Sequence, residues 1–244
     1  METSSPKWSR VLLKLSGEAF AGDGSHGVID YEAVAKIAGE VARLQQSGVQ
    51  TAIVIGGGNV MRGQFAEKAG MKRVTADHIG MLGTVVNGLA LQDSLERQGI
   101  DTRVQTAMPI QTVAEPYINR RALRHLEKGR VVILAGGTGN PFFTTDTAAA
   151  LRATEVRAEA ILMAKNGTDG VYDKDPREFS DAVKFDRISF ADAINRRLKV
   201  MDLTAMAFCM ENNIPIVVFD INVPGNIQRV ADGASIGTLV SKDA

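Results

Sequence analysis

Three glycine-rich turns in the sequence each follow a short apolar run, and two of them lie close to a cationic side chain. They are residues 14–17, which begin with Lys14, residues 56–59, which Arg62 follows closely, and residues 136–141. Glycine lets backbone amides approach a ligand, and consecutive amides in such turns form anion-binding concavities. Lys14 and Arg62 could neutralise a transferring phosphate, because phosphoryl transfer depends mainly on positioning and charge neutralisation. The pattern predicts a phosphotransferase that binds nucleotide phosphates.

Each of these features also has a purely structural interpretation. A single glycine turn can simply connect a strand to a helix, and Asp146 could cap a helix as readily as it could orient Lys14 or a Mg²⁺ ion. The P-loop pattern is absent. Gly22, Gly24 and Gly27 match G-x-G-x-x-G, but the match begins too far beyond the first apolar run for a dinucleotide fingerprint. We therefore interpret that match as a surface loop.

A further polar cluster, residues 165–176, follows another apolar run and combines glycines, carboxylates and an aromatic ring. Tyr172 could lie against a purine base, and Asp175 could accept a hydrogen bond from a ribose hydroxyl. A polar hairpin with an ordinary packed tyrosine explains the same composition equally well.

Short β-branched runs alternate with stretches of helical periodicity along the whole chain. Strands are predicted at residues 11–15, 51–55, 102–105, 131–134, 160–164 and 216–219, with an edge strand at 237–240. Helices are predicted at residues 31–47, 76–98, 116–128, 146–157, 190–197 and 203–213. The alternation predicts an α/β fold with a mainly parallel sheet and helices on both faces, whose ligands bind at the carboxyl ends of the strands. We expect a tail, residues 1–9, and one domain, residues 10–244, with a soft division near Ala158.

Composition excludes several other classes of protein. The 28 basic residues equal the 28 acidic ones, which counts against a general nucleic-acid binder. No apolar run approaches the ~20 residues needed to cross a membrane, and the first ten residues lack a secretory signal. Cys209 is the single cysteine, and His26, His78 and His125 show no metal-binding spacing. We expect a cytoplasmic protein that needs no membrane or nucleic acid and has no protein-bound metal.

Taken together, the motifs resemble those of the bacterial UMP kinases (uridylate kinases) of the amino acid kinase superfamily. The segments that carry the resemblance are LKLSGE (13–18), IGGGN (55–59) with RG (62–63), ADHIGM (76–81), GTGNPFFTTD (137–146), DGVY (169–172) with DP (175–176), and KVMDL (199–203). The resemblance runs from about residue 10 to 240, and the run at 138–146 is its most specific part. It implies a three-layer αβα sandwich of about eight strands and phosphoryl transfer from MgATP to UMP, giving UDP and ADP for pyrimidine nucleotide biosynthesis.

The resemblance also implies a role for individual residues. Those implied to bind ATP are Lys14, Leu15, Ser16, Gly17, Gly58, Arg62, Asn166, Tyr172 and Asp175. Those implied to bind UMP are Gly57, Asp77, Thr138, Gly139, Asn140, Pro141, Phe142, Phe143, Thr144 and Thr145. Lys14, Asp146 and Arg62 are the predicted catalytic residues. The roles of Asp77 and Thr138 rest on the resemblance alone.

The same resemblance implies Mg²⁺ bound mainly through the ATP phosphates, a homohexamer, activation by GTP and inhibition by UTP. The loop at residues 22–27, linked to GTP activation in some members, differs here in length and sequence. Two alternatives stay open. A sister enzyme could phosphorylate a carboxylate or carbamate, although it should lack the acceptor loop at 140–145, and a non-catalytic regulator could merely sense nucleotides.

Overall fold

The computed structural model describes residues 6–22, 24, 27–62, 66 and 68–243. The histidine at position 26, part of the loop at 22–27, and the glycine that follows Arg62 lie outside these residues. The expectations that concern them therefore stay predictions.

Eleven strands occur in the described residues, and nine of them form one sheet. The strands are β1 (Arg10–Leu15), β2 (Gln50–Ile55), β3 (Thr102–Thr106), β4 (Glu115–Pro116), β5 (Val131–Ala135), β6 (Ala160–Lys165), β7 (Val171–Tyr172), β8 (Lys184–Phe185), β9 (Arg187–Ser189), β10 (Ile216–Asp220) and β11 (Thr238–Ser241). The order in the large sheet is β4-β3-β5-β2-β1-β6-β10-β11-β9, with β7 and β8 paired separately. Only β10 and β11 pair antiparallel in the large sheet, so the predicted mainly parallel sheet is confirmed.

Seven helices of the described residues cover both faces of this sheet. They are α1 (Tyr31–Gln46), α2 (Arg73–Arg97), α3 (Asn119–Glu127), α4 (Thr145–Glu155), α5 (Phe190–Asn195), α6 (Leu203–Glu211) and α7 (Asn226–Ala231). Helices α1, α2 and α7 pack into one buried cluster with the sheet, and α3 to α6 pack into a second cluster on the opposite face. The three-layer αβα arrangement is confirmed. Across the described residues, no helix combines the length and the apolar character needed to cross a membrane.

Three sequence-based expectations about elements were wrong in detail. The helix expected at 116–128 begins only at Asn119, because Glu115–Pro116 pairs with β3 at the sheet edge, where proline's missing amide is tolerated. The strand near residues 237–240 is not an edge, since Arg187–Ser189 pairs beyond it. Helix α2 begins at Arg73, three residues earlier than expected.

The segment before β1 packs onto the fold. The Lys7 amide donates to the Ala231 carbonyl at 2.9 Å, and Trp8 is buried within the cluster formed with α1, α2 and α7. The assignment of residues 10–244 to one domain stays a prediction.

The topology brings the glycine-rich turns together. Strands β5, β2 and β1 are neighbours and parallel, so the turns that follow them meet at one edge of the sheet. Side chains alternate between the faces of a strand. In β1, Leu13 and Leu15 pack toward α1, whereas Leu12 packs toward α4. Lys14 shares the face of Leu12 and therefore extends toward α4.

A pair of side-chain amides, Asn59 and the buried Asn87, attaches the second glycine turn to α2. Asn87, which is fully buried, donates to the Gly56 carbonyl at 2.9 Å and to Asn59 Oδ1 at 2.8 Å. Asn59 returns a hydrogen bond to Asn87 Oδ1 at 2.9 Å and donates to the Val28 carbonyl at 2.8 Å. The amide pair therefore fixes the turn through the Gly56 carbonyl and the Asn59 side chain.

Replacing Asn87 by alanine should lower the free energy of unfolding by about 2–3 kcal/mol, because buried polar partners lose their hydrogen bonds. Urea unfolding followed by the fluorescence of the buried Trp8 measures the loss. Asn212→Ala is the control, since Asn212 is exposed and bonds only within its own helix end; it should cost less than about 0.5 kcal/mol. Equal losses for the two variants would contradict the anchoring role.

Candidate active site

A buried ion pair lies at the carboxyl edge of the sheet. Lys14 Nζ is 3.0 Å from Asp146 Oδ1, with side-chain exposures of 11% and 19%. Asp146 lies in the first turn of α4, where Thr144 is the N-cap and its hydroxyl accepts from the amides of Asp146 and Thr147. Negative charge is favoured at a helix N-terminus. The helix cap positions Asp146, and the alternation of side chains along β1 positions Lys14. Both residues were predicted from the sequence to be catalytic.

Asp202 is a member of the site that sequence reasoning missed. Its amide donates to Asp146 Oδ2 at 3.3 Å, and its carboxylate accepts from the hydroxyls of Thr144 and Thr147. The same carboxylate caps α6 through the Ala205 amide at 2.8 Å. An aspartate just before a helical pattern is a typical capping signal, but nothing in the sequence pairs it with the start of α4.

Gly17 of the first turn and Gly57 of the second turn pack too closely against backbone for any larger residue. A Cβ on Gly17 would lie 2.5 Å from the Gly58 amide nitrogen, and one on Gly57 would lie 2.1 Å from the Gly80 carbonyl oxygen. A Cβ on Gly56 would lie 3.4 Å from the hydroxyl of Thr145. The first turn, the second turn and the start of α4 therefore form one contiguous wall.

Arg62 lies at this wall and pairs with Glu18. Its Nη2 is 3.2 Å from Glu18 Oε1, and both side chains are substantially exposed. Glu18 belongs to a 3-10 turn, Gly17–Phe20, that directly follows β1. The pair therefore connects the first and second glycine turns, and its exposure leaves the guanidinium accessible to an anion.

A cleft of about 330 Å³ collects most of the residues predicted to bind UMP. The predicted residues that line it are Gly57, Gly58, Arg62, Asp77, Thr138, Asn140, Phe143, Thr144 and Thr145. Gly139, Pro141 and Phe142 belong to the same segment but do not line the cleft. Arg73, which was not predicted, also lines it. We call this space the acceptor cleft.

Asp77 connects α2 to the segment that follows β5, and both border the acceptor cleft. Its carboxylate accepts from Arg73 Nε at 2.8 and 3.0 Å and from the Phe142 amide at 2.7 Å. Phe142 has φ of 71°, in the left-handed region. An arginine and an aspartate four residues apart on a helix are a recognisable pair, so the signal for Arg73 was present in the sequence.

A second cleft, of about 370 Å³, lies beyond the end of β6 and is called the donor cleft. Its lining includes Lys165, Tyr172 and Asp175. The Tyr172 hydroxyl donates to Asp169 at 2.6 Å, which raises the pKa of Tyr172 to about 12. Hydrogen bonds from Arg177 lower the pKa of Asp175 to about 2. Both groups therefore keep one protonation state around neutral pH.

Asn166 does not line the donor cleft with Tyr172 and Asp175. Its side chain accepts from Asn222 at 2.8 Å and lines a different cleft, which α1 borders. Leu15 is fully buried in the core, so it can offer a ligand only its backbone. Within the described residues, no group of three or more His, Cys, Asp or Glu side chains is placed to hold a metal ion.

The left-handed backbone of Phe142 predicts an unusual tolerance to glycine. Phe142→Gly should relieve about 1–2 kcal/mol of strain, which offsets the entropy that glycine loses on folding and the lost contact between the ring and Arg73. Phe143→Gly is the matched control, because Phe143 is also exposed but has no positive φ. Denaturant unfolding should show Phe142→Gly to be less destabilising by about 1 kcal/mol; the reverse order would contradict the strain.

Comparison with known proteins identifies the family. Residues 9–220 match the amino acid kinase family. A curated uridylate kinase from Streptococcus thermophilus is 58% identical over 239 residues, covering 98% of this chain and 97% of the relative. The solved UMP kinase from Bacillus anthracis has a TM-score of 0.94 at 40% identity, covering 97% of each chain, and that from Ureaplasma parvum has a TM-score of 0.91 at 38% identity, covering 96% of this chain and 99% of the other. The predicted resemblance is therefore confirmed, and the chain belongs to the uridylate kinases of the amino acid kinase family.

Proposed function

We propose that this phosphotransferase moves the γ-phosphoryl group of MgATP to UMP, producing UDP and ADP. The observation that carries the proposal is the acceptor cleft, which is bounded by Thr144 and Thr145 immediately before Asp146. An acceptor in this cleft is therefore close to the Lys14–Asp146 pair. The relatives called uridylate kinase and UMP kinase support the same acceptor.

The acceptor cleft offers complementary groups to each part of a nucleoside monophosphate. Arg62 and Arg73 line the cleft and supply positive charge for the phosphate. A carboxylate has about four lone-pair sites, so Asp77 can accept from ribose hydroxyls while it retains one contact with Arg73 and the Phe142 amide. The segment 138–145 is proposed to surround the uracil, with Gly57 giving the phosphate close access to the backbone.

The transfer itself is proposed to be a direct in-line displacement. An oxygen of the UMP phosphate forms a bond to the γ-phosphorus as the bond to the bridging oxygen of ADP breaks. No side-chain nucleophile is required, because the acceptor phosphate is already anionic. Lys14 stabilises the charge on the transferring group, and Asp146 holds the ammonium in place. Mg²⁺ is proposed to enter with ATP, since it is typically bound through substrate phosphates and water.

On the donor side, we propose that residues 14–17, Gly58 and Arg62 bind the ATP phosphates. Tyr172 and Asp175 line the donor cleft and are proposed to hold the base and the ribose. Because Asn166 lines another cleft, its proposed contact with ATP rests on the family resemblance alone.

Four further proposals also rest on the resemblance. They are a homohexamer, activation by GTP, inhibition by UTP, and a place in pyrimidine nucleotide biosynthesis. A cytoplasmic location is proposed as well, and the single buried cysteine is compatible with a reducing compartment.

Replacing Lys14 by methionine should lower kcat about 10²- to 10³-fold, which is the usual effect of removing one group that stabilises a transition state. The dissociation constant for UMP should stay close to that of the unmodified protein, because Lys14 does not line the acceptor cleft. Steady-state kinetics and calorimetric UMP titration measure the two quantities. Lys128→Met is the control, because Lys128 is exposed at the C-terminal cap of α3; its kcat should stay close to that of the unmodified protein. A kcat within about twofold of the unmodified value would refute the role of Lys14.

A coupled assay of ADP release tests the acceptor. UMP, CMP, dCMP and N-acetylglutamate are each supplied with MgATP under identical conditions. UMP should give the highest kcat/KM by a wide margin. Turnover of acetylglutamate without turnover of UMP would favour the sister enzyme, and ATP binding without turnover of any acceptor would favour a regulator; either outcome would overturn the proposal.

A further inference from the structure

Lys165 is the last residue of β6 and lies on the same face of the sheet as Lys14. Strands β6 and β1 are parallel neighbours, with Lys14 opposite Met163 in the register. Met163 packs toward α4, so Lys165, two residues further on, extends in that direction as well. Its ammonium donates to the Val200 carbonyl at 2.8 Å. Two lysines from adjacent strands thus extend toward the start of α4.

The two lysines differ in how their charge is balanced. Lys14 pairs with Asp146, whereas no described carboxylate lies within ion-pair distance of Lys165 Nζ. Burial lowers the pKa of Lys165, repulsion from Lys14 lowers it further, and attraction from Asp146 opposes both effects. The charged form of Lys165 is therefore only partly compensated within the protein.

The groups around Lys165 on each neighbouring element do not supply the missing charge. On β10, Asp220 is opposite Lys165 in the register, but its carboxylate accepts from the amides of Gly167 and Asn222. On the segment before α6, the Asp202 carboxylate accepts hydrogen bonds from the hydroxyls of Thr144 and Thr147 and from the Ala205 amide. Lys199, on the same segment, is a cation and cannot balance the charge of Lys165. Lys165 is partly buried. A partly buried cation without a carboxylate partner is stabilised when an anion occupies the space beside it.

The donor cleft, which Lys165 lines, is strongly cationic. Of the described side chains that line it, six are cationic and two, Asp173 and Asp175, are anionic. Arg177 pairs with Asp175, and Lys174 pairs with Asp181. The arrangement suits a polyanion that extends from this cleft toward Lys14.

We propose that Lys165 is a further catalytic residue, whose ammonium contacts the terminal phosphates of the donor nucleoside triphosphate alongside Lys14. The inference rests on the proposed function, because it takes ATP as the donor. It adds a second cation from β6 to the charge stabilisation that Lys14 supplies from β1. Lys165 keeps the Val200 carbonyl as one acceptor and offers its remaining N–H groups to phosphate oxygens.

A purely structural role for Lys165 makes a different prediction. If Lys165 only held the Val200 carbonyl, its loss would lower the stability of the protein and would displace Asp202. Binding of ATP and UMP would then weaken together, and the number of protons taken up with ATP would not change. Proton uptake therefore separates the two roles.

The sign of the proton linkage follows from the charge balance. The pKa of Lys165 is lowered in the free protein, so part of the population is neutral at alkaline pH. A bound polyphosphate favours the ammonium and raises that pKa. ATP binding should thus take up protons at alkaline pH, between the lowered pKa of Lys165 in the free protein and its higher pKa in the complex. This uptake lies above the pKa of about 6 of a terminal phosphate, so the two are separable.

The test compares Lys165→Met, Lys165→Arg and the unmodified protein. ATP is titrated calorimetrically in buffers of different ionisation enthalpy, and kcat and both KM values are measured. Lys165→Met should raise the Kd for ATP about 10- to 100-fold, the range for a charged hydrogen bond, lower kcat, and leave KM for UMP within about threefold. It should also abolish the part of the proton uptake that increases with pH. Lys165→Arg should retain most of the ATP affinity without that uptake, because arginine stays protonated.

Two results would overturn the inference. One is an unchanged Kd for ATP in Lys165→Met; the other is an equal loss of ATP and UMP binding with the proton uptake intact. Failure of the proposed function is distinguishable from either. In that case the unmodified protein would not phosphorylate UMP, while the ATP titrations would still report on Lys165.

Discussion

Lys14 is held at the centre of the site by an ion pair that the rest of the fold has to maintain. Removing two charges from water is unfavourable unless the geometry is good and the remaining hydrogen-bonding groups are satisfied. Here one oxygen of Asp146 meets Lys14 at 3.0 Å, and the other accepts from the Asp202 amide. Asp202 in turn binds the hydroxyls of Thr144 and Thr147. Strand β1 and the starts of α4 and α6 are therefore coupled through one carboxylate.

The glycine-rich turns place backbone atoms, not side chains, next to the Lys14–Asp146 pair. The first and second turns approach within a distance that excludes a Cβ at Gly17. The second turn is held in place by the side-chain amides of Asn59 and the buried Asn87. The third turn is tied to α2 through Asp77 and the left-handed Phe142. These three connections thus shape the acceptor cleft.

Sequence patterns predicted the fold class because the alternation of strand and helix periods follows from local rules. Local rules also placed Lys14 at the end of a strand and Asp146 at the start of a helix, but they explained Asp146 equally well as a helix cap, and the family resemblance selected the two residues as catalytic. Asp202 was missed because its partners lie at the start of α4, far away in the sequence. Arg73 was missed because it lies before residue 76, where the helix was expected to begin. Strand Arg187–Ser189 was missed since three residues are too few to show a period. The separation of Asn166 from Tyr172 depends on how the chain leaves β6, which composition does not determine.

The coupling between Lys14 and Asp146 in the transfer step shows most directly whether Asp146 acts by holding Lys14. A double-mutant cycle in kcat uses Lys14→Met, Asp146→Asn and the combined variant, with UMP and MgATP saturating. If Asp146 acts by holding Lys14, the combined loss should be close to the larger of the two single losses, as for residues that act as a unit. Losses that multiply in the double variant would show that the two residues act independently and would contradict the account.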